Sequence, residues 1–140
     1  MVAITSGARV YLDANVVIYF VEAFPEYLPQ VEALFAAVVA ADAVLVTSEL
    51  TLAEVLVKPL RDGRNDIVRE YEAFLTGGEI ELAPISREVL RQSASLRANL
   101  RMKTPDTIHV ATAVAQHCTV FASNDAGIRL PGELALYALV

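Results

Sequence analysis

The chain of 140 residues has one cysteine, two histidines, six glycines and six prolines, and each scarcity closes off a class of protein. With Cys118 alone no intrachain disulfide can form, so the core must hold the fold, and a reducing cytoplasm is the simplest setting. Lying in the apolar-flanked stretch HCTVFAS, that thiol reads as a small buried hydrophobe. There is no cysteine pair and no histidine pair one helical turn apart, so a soft or nitrogen-rich ligand set for zinc is missing. Few glycines and prolines beside 55% hydrophobic and 20% charged residues argue for a packed fold and against disorder.

No low-complexity tract, linker or internal repeat is visible, and the length suits one domain, 1–140. The longest greasy stretch, ALFAAVVAADAVLV, is broken by Asp42 and falls short of the roughly 20 apolar residues that cross a bilayer. The amino terminus has no basic segment leading into an apolar core and a cleavage site, so the expectation is a soluble, cytoplasmic protein with no membrane partner. A net charge of −6 repels phosphate at long range, so any nucleic-acid function must be local. The glycine-rich phosphate turns G-x-G-x-x-G and G-x-x-x-x-G-K-[ST] are absent, as is the nucleophile turn G-x-S-x-G, which leaves dinucleotide, P-loop and α/β-hydrolase readings unsupported.

What is present alternates in type. VYL (10–12) is β-rich and runs into a helical pattern of Val16, Val17, Phe20 and Val21 that Pro25 closes. A helix over YLPQVEALFAAVVAA precedes a buried strand in AVLVTS (43–48), and SELTLAEVLVKPL is helical until Pro59 disfavours continuation. NDIVREYEAFLTGG is a helix with a glycine stop, EIELAPI alternates like a strand, and SREVLRQSASLRANLRM is a basic-faced helix opening on a serine cap. TPDTIHVATAVAQH starts with Thr104 as N-cap and Pro105 at the first helical position. TVFAS is a buried strand, NDAGIRLPG is turn-rich, and ELALYAL is a final strand. Apolar strands alternating with helices predict an α/β fold whose mainly parallel sheet is covered on both faces.

In such sheets functional groups gather beyond the carboxyl ends of the strands. Four carboxylates fall where topology can bring them together: Asp13 after the first strand, Glu54 in the helix after the second, Asp106 at the start of a late helix, and Asp125 after TVFAS. Each has a plain alternative. Asp13 can cap a helix, Glu54 can close a capping box with Thr51 or pair with Lys58, Asp106 suits the positive end of a helix dipole, and Asp125 suits a turn. Jointly they would repel one another unless a cation lay between them, and hard oxygen donors favour Mg²⁺ or Mn²⁺. His109, one turn after Asp106, reads as a packing or structural hydrogen-bonding residue in preference to a catalytic one.

On these residues the sequence resembles the PIN-domain family, most closely the small VapC-type ribonuclease toxins of prokaryotic toxin–antitoxin pairs. The segments that carry the resemblance are YLDANVVIY, TSELTLAEVL, TPDTIHVATA and VFASND, which span nearly the whole chain in order. It implies a three-layer α/β/α sandwich and a metal-dependent phosphodiesterase site in which Asp13, Glu54, Asp106 and Asp125 form the acidic quartet. Asn15 and Ser48 fall on supporting polar positions. Where the family often has threonine before its last acid this chain has Ser123 with Asn124 intervening, which leaves open whether Asn124 or Asp125 faces the metal. The resemblance further implies an RNA substrate, a small antitoxin protein that blocks the site, and a homodimer. Arg87 with Arg91 and Arg97 with Arg101 recur at helical spacing and offer phosphate contacts or a solvated face paired with neighbouring glutamates.

Two rival functions are weighed. A phosphatase of the haloacid-dehalogenase kind would use Asp13 as nucleophile, but normally has a second acid where Asn15 stands. A catalytically inactive domain that binds RNA or protein would have no reason to gather mutually repelling carboxylates.

Overall fold

The computed structural model describes residues 2–139. Strands β1 (Arg9–Leu12), β2 (Val44–Ser48), β3 (Glu81–Ala83), β4 (Val120–Ser123) and β5 (Ala135–Ala138) form one sheet in the order β3-β2-β1-β4-β5. Every pairing is parallel, with Tyr11 in register with Val46 on one side and Phe121 on the other. The helices are α1 (Ala14–Val21), α2 (Leu28–Ala40), α3 (Glu49–Arg61), α4 (Asn65–Thr76), α5 (Arg87–Leu100) and α6 (Thr104–Ala115).

The period of two along β1 assigns the layers. Val10 and Leu12 pack into a core with Val16, Val31, Leu34, Val55, Tyr71 and Leu75, which come from α1, α2, α3 and α4. Tyr11 faces the other way, joining Val46, Phe121 and the α6 residues Val110 and Ala113, with Leu96 of α5 packed against them. Helices therefore cover both faces, the α/β/α sandwich expected. Full burial of a valine or leucine contributes about 1.5–3 kcal/mol, so central strands this apolar fix the sheet's position between the layers.

Side-chain caps set the starts of α1, α3 and α5. Asp13 Oδ1 accepts from the Ala14 N–H at 2.9 Å, Ser48 Oγ from Leu50 at 3.2 Å, and Ser86 Oγ from Val89 at 3.1 Å. Three expectations need correction. α3 passes through Pro59 to Arg61: the proline ring is buried, and packing so close to the helix end outweighs the missing hydrogen bond. α6 is capped by Lys103, not Thr104, because the Thr104 hydroxyl accepts from Arg97 Nη1 at 2.5 Å and is not turned back on its own helix. β3 covers only Glu81–Ala83, since Pro84 follows and has no N–H to extend an edge strand. α4 is capped by Gly77, where a Cβ would lie 2.5 Å from the Ala73 carbonyl oxygen, and the chain turns away at Gly78 (φ 92°).

Candidate active site

Strand order reverses at β1, with β2 and β3 to one side and β4 and β5 to the other. At such a switch point the connections leave in opposite directions and open a crevice beyond the carboxyl ends. β1 ends at Leu12 and β4 at Ser123, so Asp13 and the segment Ser123, Asn124, Asp125 meet there.

Asp13 is 9% exposed and doubly held. Besides its cap bond, its Oδ2 accepts from Ser123 Oγ at 2.7 Å. Ser123 Oγ in turn accepts from the Asp125 N–H at 3.0 Å, and Asn15 Nδ2 lies 3.3 Å from it. Asn15 Oδ1 accepts from the Asn124 N–H at 3.3 Å. Asn15 thus stitches α1 to the end of β4 and steadies the residues around Asp13. Asn124 sends its own amide to the Tyr19 hydroxyl at 3.0 Å, toward α1. Asp125 is exposed and closes a tight turn, its Oδ1 accepting from Gly127 at 2.9 Å.

Glu54 makes neither of its two local alternatives. Thr51 bonds Thr47 at 2.7 Å and Lys58 faces Asp62 at 3.9 Å, whereas Glu54 Oε1 lies 2.6 Å from His109 Nε2. His109 is itself buried, with Nδ1 2.6 Å from the Tyr11 hydroxyl and Nε2 3.9 Å from Asp13 Oδ1. Burial raises the Tyr11 phenol well above its ordinary value, outweighing the nearby Ser48 and Thr47 hydroxyls, so it stays protonated. Ser48 is fully buried as the cap of α3, and its influence reaches Tyr11.

Asp106, in the first turn of α6, registers the company it keeps. Its carboxyl is raised above the ordinary range first by burial, then by the charges of Asp13 and Asp125 and, more weakly, of Glu54, while His109 pulls it down. The other three predicted acids are therefore all within electrostatic reach of Asp106. Among the described residues, however, no three His, Cys, Asp or Glu side chains are already grouped so as to hold a metal ion. The set has the chemistry of a hard divalent site, all oxygen and short of countercharge, without closed ligand geometry.

The basic residues are only partly free to meet phosphate. Arg91 lies 3.8 Å from Glu88, Arg64 pairs with Asp66, and Arg97 is engaged with Thr104. Arg101 ends α5 in the left-handed region (φ 55°), so Arg97 and Arg101 do not share a continuous helical face as their spacing predicts. A cavity of about 720 Å³ lies elsewhere, lined by Phe20, Phe35, Val38, Phe74 and Ile80.

Sequence reasoning named Ser123 only for its position and left His109 outside the quartet. The signal for Ser123 was its place at the end of an apolar strand, the one that lies beside β1 and ends level with Asp13. His109 gave less away, because its partners lie 98 and 55 residues distant in the chain.

Residues 10–133 match the family model described as PIN domain. No curated protein matches the chain. Among solved structures it is similar to VapBC2 from Rickettsia felis bound to a DNA fragment from its promoter: 18% identity, 93% of this chain and 98% of that one, TM-score 0.71. A toxin–antitoxin complex from Klebsiella pneumoniae is 22% identical over 90% of this chain and 95% of its own, with TM-score 0.67. The Mycobacterium tuberculosis toxin VapC20, described as cleaving the sarcin–ricin loop, is 12% identical over 80% and 86%, with TM-score 0.68. At these identities the similarity establishes a shared fold.

Proposed function

We propose, starting from the fact that this chain belongs to the PIN-domain family, that it is a Mg²⁺- or Mn²⁺-dependent endoribonuclease acting as the toxin of a toxin–antitoxin pair. The observation that carries this reading is the Asp106 carboxyl, raised by burial and then by the charges of Asp13, Asp125 and Glu54, which three other segments of the chain bring near it. A pure binding module gains nothing from that repulsion. The phosphatase alternative is not favoured, since Asn15 is committed to Ser123 and Asn124.

Asp13, Glu54, Asp106 and Asp125 would hold the ion. Bound among them, it would offset charge on the scissile phosphate and activate a water. The chain's own part is placement. Ser123 and the Ala14 N–H fix both oxygens of Asp13, the first turn of α6 carries Asp106, and the turn at Gly127 sets Asp125. Asn15 and Ser48 support the acids indirectly, through β4 and Tyr11. Asn124, turned to Tyr19, leaves Asp125 as the fourth acid.

The partners proposed are RNA, a small antitoxin protein and a second copy of the chain, in the cytoplasm. Two of the similar structures are toxin–antitoxin complexes, which supports the antitoxin. Val57 and Leu60, more than half exposed on α3, give an apolar face for a protein partner. Among the described residues no helix is long and apolar enough to cross a membrane.

The test is incubation of purified protein with structured and unstructured RNAs in Mg²⁺, Mn²⁺ or EDTA, followed by end mapping. Internal cuts that EDTA and Asp13→Asn both abolish are expected. Cleavage unchanged by EDTA, or by loss of the Asp13 charge, would contradict the reading.

A further inference from the structure

We propose that His109 is a positioning residue: its Nε2–H holds Glu54 beside Asp13, and the Tyr11 hydroxyl holds the imidazole from behind. This inference rests on the reading of the four acids as one divalent-metal site.

Glu54 leaves α3, in the layer formed with α1, α2 and α4, while His109 leaves α6 in the opposite layer. Their 2.6 Å contact therefore spans the carboxyl edge of the sheet and ties the two layers at the acids. An ionised carboxylate only accepts hydrogen bonds, so the hydrogen of this pair sits on Nε2. The other ring nitrogen lies 2.6 Å from Tyr11, which β1 presents to the α6 side two residues before Asp13. A histidine that merely filled space would need neither bond. Here both ring nitrogens are engaged at short distance, the ring is 2% exposed, and an edge-on contact with Tyr11 (centroids 5.7 Å apart) restricts its rotation.

The consequence follows from geometry. Glu54 sits on a flexible side chain one turn inside α3, about one-third exposed, and would otherwise relax into solvent away from Asp13 and Asp106. With Nε2 only 3.9 Å from Asp13 Oδ1, the imidazole N–H keeps the two carboxylates on the same side of the crevice. Partners that orient ligand carboxylates typically set metal affinity over about 10–100-fold.

The experiment is calorimetric titration of Mn²⁺ into the full chain as wild type, His109→Leu, His109→Gln and Tyr11→Phe, with thermal melts confirming the fold of each. His109→Leu is expected to bind Mn²⁺ about tenfold more weakly or worse, and His109→Gln, whose amide can donate from a similar place, to recover most of that loss. Tyr11→Phe, which keeps the ring and its packing, should show a smaller loss in the same direction and stands in for His109→Leu if that variant does not fold. Nitrogen-15 NMR of the metal-free wild type should show the hydrogen of His109 on Nε2. Wild-type affinity in both His109→Leu and Tyr11→Phe, glutamine no better than leucine, or a bare Nε2 would each overturn the positioning role while leaving the metal site intact. Absence of Mn²⁺ binding in the wild type would instead overturn the proposed function and this inference with it.

Discussion

Ser123 Oγ donates to Asp13 Oδ2 at 2.7 Å across 110 residues of sequence. The bond exists because β1 and β4 are neighbours and end level, Leu12 facing Ala122 in the ladder. It is buried and charge-assisted, so its removal is costly. Ser123→Ala should lower stability by about 1–3 kcal/mol in chemical denaturation and slow RNA cleavage about tenfold. Ser123→Thr, keeping the hydroxyl, should stay close to wild type in cleavage rate.

The raised Asp106 carboxyl makes stability depend on both pH and metal. A carboxyl whose folded pKa lies above its unfolded one favours the folded state fully below the unfolded value, and that contribution is lost as pH rises through the folded value. At neutral pH in EDTA Asp106 is thus a destabilising charge, and Asp106→Asn should raise the melting temperature. The gain should be no more than a few degrees, because the group is only partly buried and solvent screens it. Saturating Mg²⁺ should reverse the order by stabilising the wild type alone. Metal affinity of the wild type should fall with acidification sooner than an ordinary carboxylate value implies.

Asn124 and Asp125, adjacent in the chain, test the division between proposed ligand and scaffold. Asn124 turns to Tyr19 while the charge of Asp125 reaches Asp106. Asp125→Asn should therefore cut RNA cleavage at least tenfold at fixed Mg²⁺, on the scale of lost charge stabilisation, with rates partly restored as Mg²⁺ rises. Asn124→Ala should leave the Mg²⁺ dependence unchanged. Initial rates across a Mg²⁺ series read both.

Cys118 is 2% exposed, and burial pushes its thiol up to about 12, despite the opposing pull of Arg9. At pH 8 the native protein should resist thiol-reactive reagents and react fully once unfolded in denaturant. Rapid labelling of the native chain would contradict the packing between β4 and α6.

Legibility in the sequence followed the range of the interaction. Asp13 could be placed because VYL and the helical pattern after it adjoin in sequence, and the reversal of strand order carried Asp106 and Asp125 to the same edge. Element ends were less legible wherever a distant group decided them. Thr104 has the residue type of a cap, yet Arg97 from α5 takes its hydroxyl. Pro59 reads as a stop, yet the core buries it inside α3. Lys58 was a sound local partner for Glu54 by spacing, and lost to a histidine 55 residues away. Ring nitrogens leave no periodic trace, so His109 reads from sequence as a packing or hydrogen-bonding residue whose partners appear only once the layers are assembled.

Calorimetric titration of Mn²⁺ into the wild type and into Asp13→Asn and Asp106→Asn, all shown folded by thermal melts, bears on the proposed ion without relying on any particular RNA. Saturable uptake at one or two sites in the wild type, weakened about tenfold or more in each variant, is the outcome expected from four acids around one centre. Absence of saturable uptake in the wild type, or equal affinity in all three proteins, would contradict it.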